Sequence, residues 1–86
     1  MNKITLADGT VIQDAYAMPV NNDLFIYISG NEDIRAMWDL LSNTRKTKRI
    51  RSQAFGTDET YLKYTDIRGM SKEDDGSINA RLRKAG

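Results

Sequence analysis

The sequence predicts a single small α+β domain, residues 1–86, with one amphipathic helix packed on a small, mostly antiparallel, twisted sheet or partly open barrel. Two patterns support this fold class. Apolar and polar residues alternate in several short segments, as in half-buried strands, whereas in one segment apolar residues recur with helical spacing. Dipeptides typical of tight turns separate the strand-like segments. The predicted order of elements is β-β-β-α-β-β-β.

Three strands are predicted before the helix. Alternation over residues 3–6 indicates the first strand, and Asp8-Gly9 predicts a two-residue turn, since such turns need positive φ angles. The return strand covers residues 10–18 and ends at Pro19. The apolar run LFIYI at 24–28 indicates a central strand. Its two faces carry Leu24, Ile26 and Ile28 on one side and Phe25 and Tyr27 on the other.

One helix follows the central strand. Asn31 is a suitable N-cap, and Glu32 and Asp33 lie in the first turn, where the helix dipole favours anions. An apolar stripe then follows at positions i, i+3, i+4 and i+7, namely Ile34, Met37, Trp38 and Leu41. We expect this stripe, Trp38 included, to pack on the sheet, and the helix to end near Ser42.

Three more strands complete the predicted sheet. In the first of them Ile50, Ser52 and Ala54 share one face, while Arg49, Arg51, Gln53 and Phe55 share the other. Residues 56–58 turn the chain into a strand at 60–67. Asp75-Gly76 predicts a further turn, since Asp-Gly favours turns by its own backbone preferences. The acidic run at 73–75 lacks the ligand spacing of a calcium loop. Residues 78–83 alternate as the last strand, with Ile78, Ala80 and Leu82 on one face.

The composition excludes several classes of chemistry. The chain has no His and no Cys, which removes the commonest general base, the thiolate nucleophile and nearly every zinc ligand set. We therefore expect no enzymatic activity, no cofactor and no metal site. The chain lacks a long apolar run and a hydrophobic leader, so we expect no membrane association and a location in the cytoplasm or the virion.

The net charge of +1 conceals an uneven distribution. Residues 1–44 carry two cations and six anions, whereas residues 45–51 carry five cations and no anion. We call this second segment the basic strip; its cations are Arg45, Lys46, Lys48, Arg49 and Arg51. Such a dipolar pattern bears on partners and on electrostatic steering rather than on the fold.

Three interpretations of the basic strip remain open from sequence. Its cations suit a helix C-terminus that leads into an edge strand protected by charge from aggregation. They also suit a protein-docking edge, or a nucleic-acid site in which aromatic residues stack on bases. Tyr61 and Tyr64 lie in the next strand, where alternation would place them on opposite faces, so one of them should be exposed near Arg49 and Arg51. Exposed Tyr beside Arg is typical of binding hot spots.

The layout of the chain resembles small phage- and prophage-encoded proteins of Gram-positive bacteria. The segments that carry the resemblance are LADGT at 6–10, the short helix followed by NTRKT at 43–47, YLKYT at 61–65 and the terminal LRK at 82–84. The resemblance implies a minor virion or assembly component, or an accessory protein that blocks a host factor such as a CRISPR effector. Small anti-CRISPR proteins are one such class, although the basic strip departs from their acidic DNA-mimic type.

These observations together predict a non-enzymatic module that binds another protein, from the host or the virion. The predicted contact residues are the five cations of the basic strip with Tyr61 and Tyr64. The alternative is a nucleic-acid-binding module that uses the same strip and the neighbouring aromatic residues. A homo-oligomer is also compatible with the sequence, because the chain carries both an acidic half and a basic strip.

Overall fold

The computed structural model describes residues 1–42 and 48–84, and these residues form seven strands and one helix. The bounds are β1 Lys3–Leu6, β2 Val11–Gln13, β3 Ala15–Val20, β4 Asp23–Ile28, α1 Ile34–Ser42, β5 Lys48–Ala54, β6 Thr57–Lys72 and β7 Ile78–Lys84. Among them, every strand pairing is antiparallel. The predicted α+β class, an antiparallel sheet with one helix, is therefore confirmed.

The order of elements differs from the prediction before the helix. The predicted return strand at 10–18 is two strands, β2 and β3, separated by Asp14. Asp14 has a left-handed backbone with φ of 54°, which an extended strand cannot contain. Pro19 does not end β3 but pairs with Leu24 inside it. Its missing N–H is tolerated because β3 is an edge strand and the nitrogen faces away from β4.

The position of Asp14 forces the sheet to curl. The strand order is β2-β1-β5-β6-β7-β4-β3, so β2 and β3 lie at opposite edges although one residue joins them. The Asp14 carbonyl accepts hydrogen bonds from the backbone N–H and the Oγ of Ser29, at 2.8 and 2.7 Å, and its own N–H donates to the Asn2 carbonyl at 2.9 Å. Further along β3, the Ala17 N–H donates to the buried Ser52 Oγ of β5 at 3.0 Å. This bond fastens one edge of the sheet to its middle.

The interior of the curled sheet is the hydrophobic core. As alternation predicted, the buried side chains of β4, β5 and β7 are Leu24, Ile26, Ile28, Ile50, Ser52, Ala54, Ile78, Ala80 and Leu82. Met37 and Leu41 of α1 join them, and the helix packs against β6. Trp38 does not, since it lies at the border of the apolar stripe and is 44% exposed. Ile34 and Leu40, which are partly buried, pack against the core instead.

The helix begins later than predicted. Asp33, rather than Asn31, is the N-cap, because its Oδ1 accepts the Arg35 N–H at 2.9 Å and its carbonyl accepts the Met37 N–H at 3.0 Å. No helix in the described part of the chain is both long and apolar enough to cross a membrane.

Both Asp-Gly turns have the same three-residue geometry instead of the two-residue one. In the first, the Leu6 N–H donates to the Thr10 carbonyl and Gly9 alone adopts a positive φ, of 92°. The second repeats this pattern, with Gly76 at φ 91°. Each turn is closed by its aspartate: Asp8 Oδ1 accepts the Thr10 N–H, and Asp75 Oδ1 accepts the N–H and the hydroxyl of Ser77. The glycine takes the left-handed position that follows a type I turn.

Ser52→Ala should destabilise the protein by about 1–3 kcal/mol, because it leaves the Ala17 N–H buried without an acceptor. Urea unfolding measures the loss, and hydrogen exchange should show faster exchange at the Ala17 amide. Ser71→Ala is the control, since the Ser71 hydroxyl is exposed. Unchanged protection of the Ala17 amide in the Ser52 variant would contradict the assigned bond.

The aspartate-closed turns predict a loss of stability in acid. Hydrogen bonds from Ser77 and from the Thr10 backbone hold the pKa values of Asp75 and Asp8 below their ordinary value of 3.8. A lowered folded-state pKa stabilises the protein above the unfolded-state value, and this gain disappears as the pH falls through the folded-state value.

We therefore expect the free energy of urea unfolding to fall below about pH 4, where unfolded carboxylates begin to bind protons. The free energy of unfolding should fall less steeply with pH in Asp75→Asn, because the asparagine at this position binds no proton. Asp74→Asn is the matched control, because that carboxylate accepts no hydrogen bond from a described residue. Equal slopes for the wild-type protein and the Asp75 variant would be the contrary result.

Candidate docking surface

The predicted contact residues do not form one surface. Arg45 and Lys46 lie outside the described residues, and Lys48 begins β5. Arg49 and Arg51 are exposed on the outer face of β5, as alternation predicted. Tyr61 and Tyr64, in contrast, both turn inward.

Arg51 already has a partner within the chain. Its Nε and Nη2 donate to the two carboxylate oxygens of Asp58 at 2.9 and 2.6 Å, a bidentate pair across the β5–β6 hairpin. The hydrogen bond from Arg51 lowers the pKa of Asp58, and the same bond raises the pKa of Arg51. Arg49 forms no ion pair with any described residue. Of the two arginines, Arg49 is thus the one that keeps its charge available.

A β-bulge in β6 turns both tyrosines inward. Ile50 pairs with Tyr61 and Lys48 with Tyr64, so β6 advances three residues while β5 advances two. The extra residue is accommodated at Lys63, whose φ is 70°. Tyr64 is 7% exposed in the core, and Tyr61 packs against the same core, where burial raises the pKa of its hydroxyl. The prediction of opposite faces is wrong, and Tyr64 is too buried to contact a partner.

A group of neighbouring aromatic side chains lies elsewhere, on the outside of β3, β4 and β7. We call it the outer aromatic face; it consists of Tyr16, Met18, Phe25, Tyr27, Phe55 and Arg81. Strand pairing arranges its side chains in two rows that cross the strands. The first row contains Tyr16, Tyr27, Asn79 and Ser71; the second contains Met18, Phe25, Arg81 and Gly69.

A shallow groove of about 490 Å³ runs between the two rows. The two rows lie two residues apart along each strand, so their Cα atoms are about 7 Å apart, as on any strand face. At the Gly69 end no side chain rises from β6, and a Cβ there would lie 3.8 Å from Arg81 Nη2. A second cleft of about 190 Å³ lies beyond Tyr16, between β3 and the β5–β6 hairpin, and Tyr61 lines it together with Phe55 and Glu59.

Phe55 extends the first row from the opposite direction. The Phe55 ring meets the Tyr16 ring edge to face at 5.1 Å, and Tyr16 in turn lies 5.3 Å from Tyr27. Phe55 is not the last residue of a strand, as predicted, but the first residue of the two-residue β5–β6 turn with Gly56, at φ 53°. A bulky side chain is rare in this left-handed position, which Asn or Gly normally occupies. Phe55 is nevertheless 73% exposed, so burial does not offset the strain.

The charges around the outer aromatic face are largely balanced. Arg68 pairs with Asp23 at 3.3 Å, and Arg83 pairs with Asp66 at 3.1 Å. Arg81 instead lies over the Phe25 ring, 5.9 Å from its centroid, and forms no ion pair with a described carboxylate. A guanidinium on an aromatic ring keeps its hydrogen-bond donors free for another group.

Acidic side chains near this surface are engaged in local hydrogen bonds. Glu73 accepts from Asn79 and Ser71 at 3.1 and 3.4 Å, and Asp75 closes its own turn. In the described residues, no group of three or more acidic side chains is placed to hold a metal ion.

Comparisons with protein-family models, with curated proteins and with solved structures found no match for this chain. The assignment of a function therefore depends on the surface itself. One sequence signal for it was present: Phe25 and Tyr27 were predicted to share one face of this strand, and the structure shows that the other face is the buried one. The face with Phe25 and Tyr27 was apolar enough to indicate a second contact surface.

Phe55→Asn should stabilise the free protein by about 0.5–1 kcal/mol, since relief of left-handed strain outweighs the lost ring contact. Phe55→Ala is the matched variant, because it loses the ring but keeps an unsuitable residue in the turn, and it should lower stability. Urea unfolding with circular dichroism measures both. A destabilised Asn variant would show that the turn does not strain Phe55.

Proposed function

We propose that this chain is a non-enzymatic protein-binding module that docks its partner on the outer aromatic face. The observation that carries the proposal is a set of neighbouring exposed and half-buried aromatic, Met and Arg side chains, the residue types enriched in protein interfaces. Ring contacts hold Tyr16, Tyr27 and Phe55 in fixed positions, so little side-chain entropy is lost on docking.

The strained turn supports the same proposal. The left-handed backbone of the exposed Phe55 lowers the stability of the free protein, and backbone strain of this kind is concentrated at functional sites. Phe55 gains burial only when something covers it. We assign it the role of an anchor for the partner.

Charge favours a protein over a nucleic acid on this face. A phosphate backbone requires several uncompensated cations along its path. Near the outer aromatic face, Arg68 and Arg83 are paired with carboxylates, and Glu59 lines the adjoining cleft. The alternative, a nucleic-acid-binding module based on the strip at 45–51, has its support in the exposed Arg49 and in the composition of that strip.

The resemblance to phage-encoded accessory proteins points to a host or virion protein as the partner. We place it, as part of the proposal, among modules that act in the host cytoplasm or in the virion. A second copy of the chain is the other protein that could fill the face, and the experiment below distinguishes the two.

Photo-cross-linking tests the proposal. A benzoylphenylalanine in place of Phe25 should cross-link to one protein in a lysate of the organism that encodes the chain. Unlabelled wild-type protein should abolish the adduct, whereas Phe55→Ala or Tyr16→Ala, added at the same concentration, should compete at least about tenfold less well, as expected for hot-spot residues. Val11, which is exposed on β2 and does not line the groove, is the control position for the photoreactive group.

Each outcome is decisive. A competed adduct with another protein, or with a second copy at twice the mass, supports the proposal. A nuclease-sensitive adduct, no adduct, or equal cross-linking from position 11 would overturn it. Fluorescence anisotropy with single- and double-stranded DNA and RNA tests the alternative, since binding by the basic strip should weaken steeply as salt rises.

A further inference from the structure

The groove between the two rows indicates what kind of partner it takes, and this inference depends on the proposed function. We infer that the groove binds an extended peptide segment in which an apolar residue is followed by a carboxylate group. Three features support this inference: the length of the groove, the closed state of the neighbouring sheet edge and the position of Arg81.

The length of the groove fits a short extended segment. The groove crosses four strands, β3, β4, β7 and β6, and the three spacings of about 4.8 Å between them give a length of about 14 Å. An extended chain advances about 3.3 Å per residue, so about four residues lie along it.

The segment cannot bind by extending the sheet at the adjoining edge. Of the backbone donors on the free side of β3, the Ala17 N–H is taken by Ser52 Oγ, and Pro19 has none to offer. Addition of a strand needs a row of free backbone donors and acceptors. Recognition must therefore come from the side chains of the outer aromatic face.

The side chains of the outer aromatic face can donate hydrogen bonds to an extended peptide, whose backbone forms no hydrogen bonds within itself. Tyr16 and Tyr27 line the groove, and their hydroxyls form no hydrogen bond with a described residue. An extended peptide presents carbonyl groups along its length, and tyrosine hydroxyls can donate to them while the rings contact its apolar side chains.

The charge in the groove is asymmetric. Met18 and Tyr16 make one end apolar, whereas the other end contains Arg81 beside the open surface over Gly69. Arg81 is held by the Phe25 ring with its donors free, and guanidinium groups bind carboxylates in a planar, two-bond arrangement. The Glu73 carboxylate is already engaged, because it accepts hydrogen bonds from Asn79 and Ser71 of the first row. An acidic group of the ligand therefore fits at Arg81.

A random eight-residue peptide display library tests the inference. Selection on the wild-type protein should enrich peptides that carry Asp or Glu about three residues from an apolar residue, because two strand spacings separate Arg81 from Met18 and Tyr16. Selection on Arg81→Glu should replace the acidic preference by Lys or Arg. Arg83→Glu is the matched control, since Arg83 lies two residues along the same strand, outside the groove, and should keep the acidic preference.

Fluorescence polarisation then measures the best wild-type peptide. We expect Arg81→Glu to weaken it by at least about tenfold, the usual effect of losing a charge-assisted pair, and Arg83→Glu to leave it within about twofold. No enrichment, or the same charge preference with both variants, overturns the inference. If the peptide selection fails but the cross-link at position 25 is competed, the partner contacts the face with a folded surface rather than a peptide segment. The peptide inference and the proposed function can therefore fail separately.

Discussion

Residues 11–13 and 15–20 form one run of chain, yet they lie at opposite edges of the sheet with only Asp14 between them. The covalent link therefore requires the sheet to curl until its edges approach. The left-handed backbone at Asp14 allows the bend, Ser29 satisfies its carbonyl twice, and Ser52 accepts the Ala17 N–H where β3 crosses β5. Since buried backbone groups must find partners, these bonds are what make one curled arrangement better than a flat sheet.

The outer aromatic face is a consequence of this curl. Phe55 belongs to the β5–β6 turn and Tyr16 to the edge strand β3, so their rings meet only because the edge is drawn across the sheet. Strand pairing then continues the row to Tyr27 and aligns the second row beside it. The hydrogen bond that closes the fold therefore also positions the proposed docking surface, which links the stability of β3 to binding.

The electrostatics of the folded chain differ from those of its sequence. A run of five cations suggested a binding strip, but folding pairs one of them, Arg51, with Asp58. Near the outer aromatic face, Arg68 and Arg83 are likewise paired with carboxylates. Exposed pairs of this kind contribute little to stability. Their larger effect is on recognition, because they remove the uncompensated positive charge that phosphate binding requires. Arg81, which lies over the Phe25 ring, remains as a cation that can bind a partner group.

The sequence by itself determined the α+β class, the inward and outward faces of β4, β5 and β7, and the helical segment that buries Met37 and Leu41. These follow from periodicity, which is local and acts within each element. Only the tertiary structure decided that Tyr64 turns inward and that Phe55 joins Tyr16 on the outside. The first depends on a bulge, which shifts alternation by one residue, and the second on contacts between strands distant in sequence; neither is encoded in the local period.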